Sequence, residues 1–484
     1  MMILVIIICY FAGLLLIAHI TGHKGGSNAA FFKGENKSPW YIVSFGMIGA
    51  SISGVTFVSV PGMVRGMDMT YMQTVFGFFF GYMIVAHILL PLYYRLNLTS
   101  IYGYLGTRIG VNAYRTGSFF FLLSRMLGTA AKLYLVCLIL HAHVFQDMHV
   151  PFWVIAVGSV ALVWIYTHKS GIKTIVWTDT LQTFCLIAAL LFIIYFTIQK
   201  LEVGFDGIVQ TIRHSEHSRI FVFDDWMSRQ NFFKQFFSGI FIVIVMTGLD
   251  QDMMQKNLSC RNLHEAKKNM YCYGFSFIPL NFLFLCLGIL LIALAGQMQL
   301  ELPAMNDDIL PMFATQGYLG QSVLVLFTIG IIAAAFSNSD SALTAMTTSV
   351  CIDLLKTDKD TEETARRKRK KVHLSLSILL AFFICLVEML NNKSVIDAIY
   401  IIASYTYGPL LGMFAFGLFT RRQTKDRLVP LIAIASPVLC YALDWWINKE
   451  TGYKFGYELL MLNGSLTFAG LMLLSGKEKT VETP

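Results

Sequence analysis

Charge is scarce in this chain. Asp, Glu, Lys and Arg make up 14% of the 484 residues, while 56% are hydrophobic. A soluble domain carries about 25% charged residues, so this chain has too little polar surface to face water on all sides. The short alternating segments of an outer-membrane barrel are also missing. The nine cysteines are scattered and form no CxxC pair, which leaves no zinc or disulfide framework. His87, His141 and His143 fall in or at the end of an apolar run. His141 and His143 are two apart and point to different helix faces, so they offer no paired haem ligands and no transition-metal cluster. No nucleophile–base grouping is legible either. The expectation is a protein that is not an enzyme and carries no cofactor. No loop is long enough for a soluble domain; the longest lie near 200–230 and 353–372.

What is present is a series of long apolar runs, each close to the roughly 20 residues a spanning helix needs. Thirteen can be drawn, near 2–20, 40–63, 72–94, 117–144, 151–167, 175–199, 231–255, 270–296, 320–352, 373–391, 395–420, 428–447 and 456–475. The fold class expected is an all-α membrane protein, one transmembrane domain over 1–484. The first run, Met2 to Ile20, has no Lys or Arg before it, which reads as a retained helix rather than a signal peptide. The net charge of +8 sits in loops, not on a nucleic-acid-binding face. One set of alternate loops holds 26 Lys and Arg, including Lys24, Lys169, Lys256, Arg366–Lys371 and Lys479, and the other set holds 9, including Lys393. By the positive-inside rule the richer set is cytoplasmic. That places the chain in the plasma (inner) membrane with its N-terminus outside and its C-terminus inside. Arg366–Lys371 reads as a solvated cytoplasmic loop.

Two runs look broken. One carries Ser51-Ile-Ser-Gly54-Val-Thr56, the other Thr247-Gly248 before Asp250-Gln251-Asp252. Glycine and hydroxyl residues weaken a helix and can leave backbone carbonyls free. The two breaks lie five spans apart, an odd number, so five-helix units starting at each have opposite topology. Inverted repeats with broken helices in matching positions point to a secondary transporter. This divides the chain into a leading helix and loop (1–39), repeat one (40–199), repeat two (231–420) and two trailing helices (428–475).

Charge at mid-membrane costs at least ~2.5–3.5 kcal/mol per residue on insertion scales. Arg125, Lys132, Asp179 and Asp340 are therefore functional candidates. Asp179, flanked by Thr178 and Thr180, is either a ligand for a hard cation or a helix-start carboxylate facing cytoplasmic water. Ala334, Ser337, Asn338 and Ser341 share one helix face and offer a polar strip. Arg125 and Lys132, seven apart, lie near one face; each could pair with an acid or hold an anion, and Lys132 could instead snorkel.

Five strings together give the chain a resemblance. They are Gly49–Phe57, Ser100–Arg108, Gly171–Gln182, Ala333–Leu343, and Gly408–Gly412 with Gly417. In this order they resemble the sodium:solute symporter family, and within it the bacterial sialic-acid symporters on Ser51, Ser53, Thr56, Gln73 and Arg125. The resemblance implies a LeuT-like core, alternating access and sodium as the coupling ion. It implies a first sodium site from the carbonyls of Gly49, Ile52 and Ala334 with the side chains of Ser337 and Asn338; the family usually has a hydroxyl at position 338. A second site, found in some members, would use Asp179, Ser337, Asp340 and Ser341, for sodium or a proton. Arg125 would clamp a substrate carboxylate, with Ser51, Ser53, Thr56 and Gln73 around it. Sodium-coupled import of sialic acid or a similar carboxylated sugar is the expected function. The alternatives are symport of a neutral sugar, inositol or another organic acid, or a sensor on a transport fold. The partners expected are Na+, a small solute and the lipid bilayer, with no transition metal, no nucleic acid and no obligate protein partner.

Overall fold

The computed structural model describes residues 2–21, 28–143, 145, 148–168, 171–390 and 395–478. Lys24, Lys169, Lys393 and Lys479, counted above as loop charges, lie outside the described residues. The described chain is helical almost throughout. Its helices run α1 (Met2–Thr21), α2 (Trp40–Ser51), α3 (Gly54–Met67), α4 (Tyr71–Ile84), α5 (Val111–His143), α6 (Phe152–Thr167), α7 (Ile172–Leu201) and α8 (Phe232–Val243). They continue with α9 (Gln251–Leu258), α10 (Leu263–Gln297), α11 (Gln321–Ser349), α12 (Glu362–Leu390), α13 (Val395–Phe419), α14 (Val429–Thr451) and α15 (Leu459–Leu473). One small antiparallel ribbon, β1 (Arg422–Thr424) with β2 (Ser475–Glu478), ties the end of α13 to the end of α15.

Among the described residues seven helical stretches are long and apolar enough to cross a membrane, or eight when α8 and α9 count as one span bent by 65°. Four more apolar helices are shorter. The all-helical class is as expected, but helix length does not establish thirteen crossings. The reason is local. The run at 40–63 is divided between α2 and α3, and Gly54–Arg95 continues as one helical stretch through what the apolar pattern separates.

Both breaks fall where the sequence weakens the helix. At the first, Ile52 leaves helical geometry (φ −78°, ψ 88°), and Ser53 caps α3 by accepting the Thr56 N–H at 3.3 Å. At the second, a π-helical turn over Ile244–Gly248 precedes an extended Asp250, whose carboxylate accepts the N–H groups of Asp252 and Met253 and so caps α9. Carbonyls freed there find side-chain donors. Tyr93 donates to Gly248 O at 2.8 Å, and Tyr102 to Leu249 O at 3.0 Å. Gln251 holds the preceding loop in return, accepting from Ile101 N and donating to Thr99 O, each at 2.9 Å. In a membrane interior such freed groups persist only when protein satisfies them.

The Arg366–Lys371 run is not a loop. It belongs to α12, whose first turns extend the helix beyond its apolar part, and one face of that extension turns inward. Arg369 is 1% exposed, lies 4.4 Å from the Phe31 ring centre and donates to Asn28 Oδ1 at 2.8 Å. Arg367 on the opposite side stays exposed.

The two halves of the core are in close contact where α4 crosses α8. A Cβ at Gly77 would stand 2.1 Å from the Phe236 carbonyl oxygen, and one at Gly239 would stand 2.2 Å from that of Thr74. Small residues at such crossings let membrane helices pack backbone to backbone. Gly77→Leu is therefore expected to cost about 1–3 kcal/mol through overpacking. The check is the thermal midpoint of the detergent-solubilised variant, which should fall; an unchanged midpoint would contradict this crossing.

Candidate functional site

Two glycines on α2 let α7 approach the first break. A Cβ at Gly46 would meet Asp179 Cβ at 2.9 Å, and one at Gly49 would meet Thr183 Oγ1 at 2.1 Å. Thr183 Oγ1 in turn accepts the Gly49 N–H at 3.1 Å. This approach carries Asp179 inward. It is fully buried, so the reading of a helix-start carboxylate in cytoplasmic water does not hold.

Residues expected at the first sodium site gather about the first break. Ser53 N–H bonds Ser51 O at 3.0 Å, and Thr56 N–H turns to Ser53 Oγ. The carbonyls of Gly49 and Ile52 thereby lose the donors four residues on that a continuous helix would give them. From α11, Asn338 Nδ2 donates to Ala50 O at 2.9 Å, which holds the polar strip against the break. Asn338 Oδ1 is buried with no hydrogen-bond partner among the described residues. Ser337, in the same turn, donates to Asp179 Oδ1 at 2.5 Å and keeps its lone pairs free to accept. Ala334 lies one turn earlier on the same face, 1% exposed. Free carbonyls, a hydroxyl oxygen and an amide oxygen are the oxygen donors a hard cation prefers.

Beside it lies a second group. Ser341 donates to Asp179 Oδ2 at 3.4 Å, and Tyr166 to Asp340 Oδ2 at 2.9 Å. Lys256 joins them: its Nζ is 2.8 Å from Asp179 Oδ2, and both side chains are at most 1% exposed. Its placement in a cytoplasmic loop is corrected. The apolar run ends at 255, but after the break the backbone resumes as α9 and continues to Leu258, so Lys256 lies inside.

Arg125, on α5, is 7% exposed and meets α9 directly. Its guanidinium is ion-paired with Asp252 and lies 3.6 Å from Asp250. Tyr407 donates to Asp250. Of the two roles open to Arg125, pairing with an acid is thus occupied by two carboxylates. Arg125 Nε remains buried without a partner among the described residues. Arg125 also borders a cavity of about 100 Å³ lined by Ser51, Thr56, Tyr82, Lys132 and Asn338, among others.

Two expected residues are not brought there. Gln73 is fully buried with both ends of its amide engaged. It donates to Gln230 O and Gln235 Oε1 at 2.8 and 2.9 Å and accepts from Val222 N at 3.0 Å. Ser53 serves as the α3 cap. Ser51 does line the cavity, bonded to Tyr273 Oη at 2.5 Å. Asp250, Asp252 and Lys256 are site residues that reasoning from the sequence missed. The signal was present: two acids sit at a break, with a lysine one turn beyond Asp252, while Arg125 needs an acid.

The chain is similar over most of its length to known proteins. The sodium/sialic acid symporter of Aliivibrio fischeri is 25% identical over 95% of this chain and 91% of its own length. That of Proteus mirabilis is 23% identical, over 88% of this chain and 86% of its own. A solved sodium-coupled sialic acid symporter in a substrate-bound outward-open state superposes with a TM-score of 0.85 at 19% identity, over 99% of both chains. That likeness carries the fold, the LeuT-like one expected from the family resemblance. Residues 31–427 match the sodium:solute symporter family, and with most of its length inside that match the chain belongs to the sodium:solute symporter family.

Proposed function

We propose that this protein imports a carboxylated sugar of the sialic acid type by sodium-coupled symport. The observation that carries the reading is the buried Arg125 beside a cavity that Asn338 also lines. Arg125 would offer its guanidinium to a carboxylate there, near the residues proposed to hold sodium. The curated bacterial relatives named above are symporters of sodium and sialic acid, which supports the substrate class.

Charge supplies the coupling. Arg125 and Lys132 balance Asp250 and Asp252, so these four groups sum to zero. A neutral pocket in a weakly screened interior gives an anion little attraction. Sodium held by Gly49, Ile52, Ala334, Ser337 and Asn338 would add one positive charge beside it, and the anion then binds well. Ser51 and Thr56 would meet sugar hydroxyls, while Gln73 and Ser53 would act indirectly, by holding the 222–235 segment and the start of α3.

We further place the protein in the plasma (inner) membrane with its C-terminus cytoplasmic, and assign 40–199 and 231–420 as inverted repeats. The charge bias supports this orientation even with Lys256 removed from the loops. A C-terminal green fluorescent protein should fluoresce, and a C-terminal alkaline phosphatase should be silent; the reverse pattern would contradict the orientation.

The function is tested with purified protein in liposomes. An inward sodium gradient should drive accumulation of N-acetylneuraminate, and accumulation that ignores the gradient would sink the proposal. Arg125→Ala should abolish uptake while sodium binding persists. Asn338→Ala, which removes one oxygen ligand, should raise the half-saturating sodium concentration about tenfold, the equivalent of ~1.4 kcal/mol. An unchanged sodium dependence would remove Asn338 from the ion centre.

A further inference from the structure

The Asp179–Asp340 group has the acids and hydroxyls of a second sodium site, but it also contains a lysine. We propose that the Lys256 ammonium is a tethered cation that fills this second site, so that the protein binds and couples a single sodium ion. This rests on the sodium-symport reading above and goes beyond it by fixing the ion count.

The geometry carries the inference. Both oxygens of Asp179 are engaged: Oδ1 by Ser337 at 2.5 Å, and Oδ2 by Lys256 at 2.8 Å with Ser341 at 3.4 Å. An ammonium is a compact point charge, and this one, ion-paired with Asp179 Oδ2, compensates the carboxylate as an alkali cation would. A further cation among the same oxygens would stand beside it with little screening. Asp340 lies within the field of both Asp179 and Lys256.

Lys256 is also held in place. On α9, Gln255 Nε2 donates to Phe32 O at 2.8 Å and to Thr348 Oγ1 at 3.0 Å, and Asn257 Oδ1 accepts from Asn269 at 2.7 Å. The flanking residues pin the helix on both sides, so the lysine cannot reach water at 1% exposure. The first ion centre is left intact. Ser337 spends its proton on Asp179, and its lone pairs face a sodium at the break.

The consequence is a changed charge balance. Two sodium ions with one monoanion would carry net +1, whereas one sodium with one monoanion carries none.

The test counts ions on the full-length purified protein with 22Na at equilibrium, which needs no transported substrate. One sodium per chain at saturation is expected. Two would overturn this proposal and leave sodium symport standing; none would overturn the sodium reading itself and this proposal with it. In liposomes, uptake should rise with sodium with a Hill coefficient of one. Lys256→Ala clears the ammonium and frees Asp179, so bound sodium should rise to two and the Hill coefficient towards two. A monodisperse, folded Lys256→Ala protein that still binds one ion would refute the tethered-cation role. If that variant does not fold, the wild-type count alone decides.

Discussion

Everything at the centre of this protein depends on pairing charges that a membrane interior would otherwise reject. Breaking a buried ion pair by removing one partner costs about 3–5 kcal/mol, so these side chains constrain one another strongly. α9 is the element that satisfies the constraint. It carries Asp252 towards Arg125 and, one turn later, Lys256 towards Asp179. An eight-residue helix thus touches both the cavity beside Arg125 and the Asp179 group. Its start is fixed by the Asp250 cap and its sides by Gln251, Gln255 and Asn257.

This arrangement gives the coupling a physical form. In the proposed function the groups Arg125, Lys132, Asp250 and Asp252 balance to neutrality, so a substrate anion's affinity would be set by what occupies the proposed sodium site. Asn338 belongs to both places: its amide nitrogen closes on Ala50, and its residue lines the cavity. The break in the first helix exposes carbonyls because Ser53 serves as a cap, and the glycines at 46 and 49 let Asp179 come near. Each device follows from residue types that would be poor choices in an uninterrupted helix.

Much of the fold was legible in the sequence. Apolar runs gave the membrane class, and Ser51–Gly54 and Thr247–Gly248 marked both breaks. Thirteen runs did not become thirteen long helices, because hydropathy does not register a helix that breaks mid-span or one that continues through a turn. The polar strip of Ala334, Ser337, Asn338 and Ser341 was also legible from its helical spacing, and Asn338 on it meets the first break at Ala50. Lys256 was not, because the apolar run was ended at 255, whereas the helix restarted after the break continues to Leu258. Arg369 was hidden in the same way, by a helix that outlasts its apolar part. Gln73 reads as a polar residue in a span, and only its three hydrogen bonds show that it is already satisfied.

The central claim is that sodium makes a neutral pocket attractive to an anion. Calorimetric titration of N-acetylneuraminate into the purified protein tests it most directly, once in sodium and once in choline at equal ionic strength. The account predicts an affinity at least about tenfold tighter in sodium, and an equal gain in sodium affinity when the sugar acid is present, as linkage requires. Equal dissociation constants in the two solutions would contradict it.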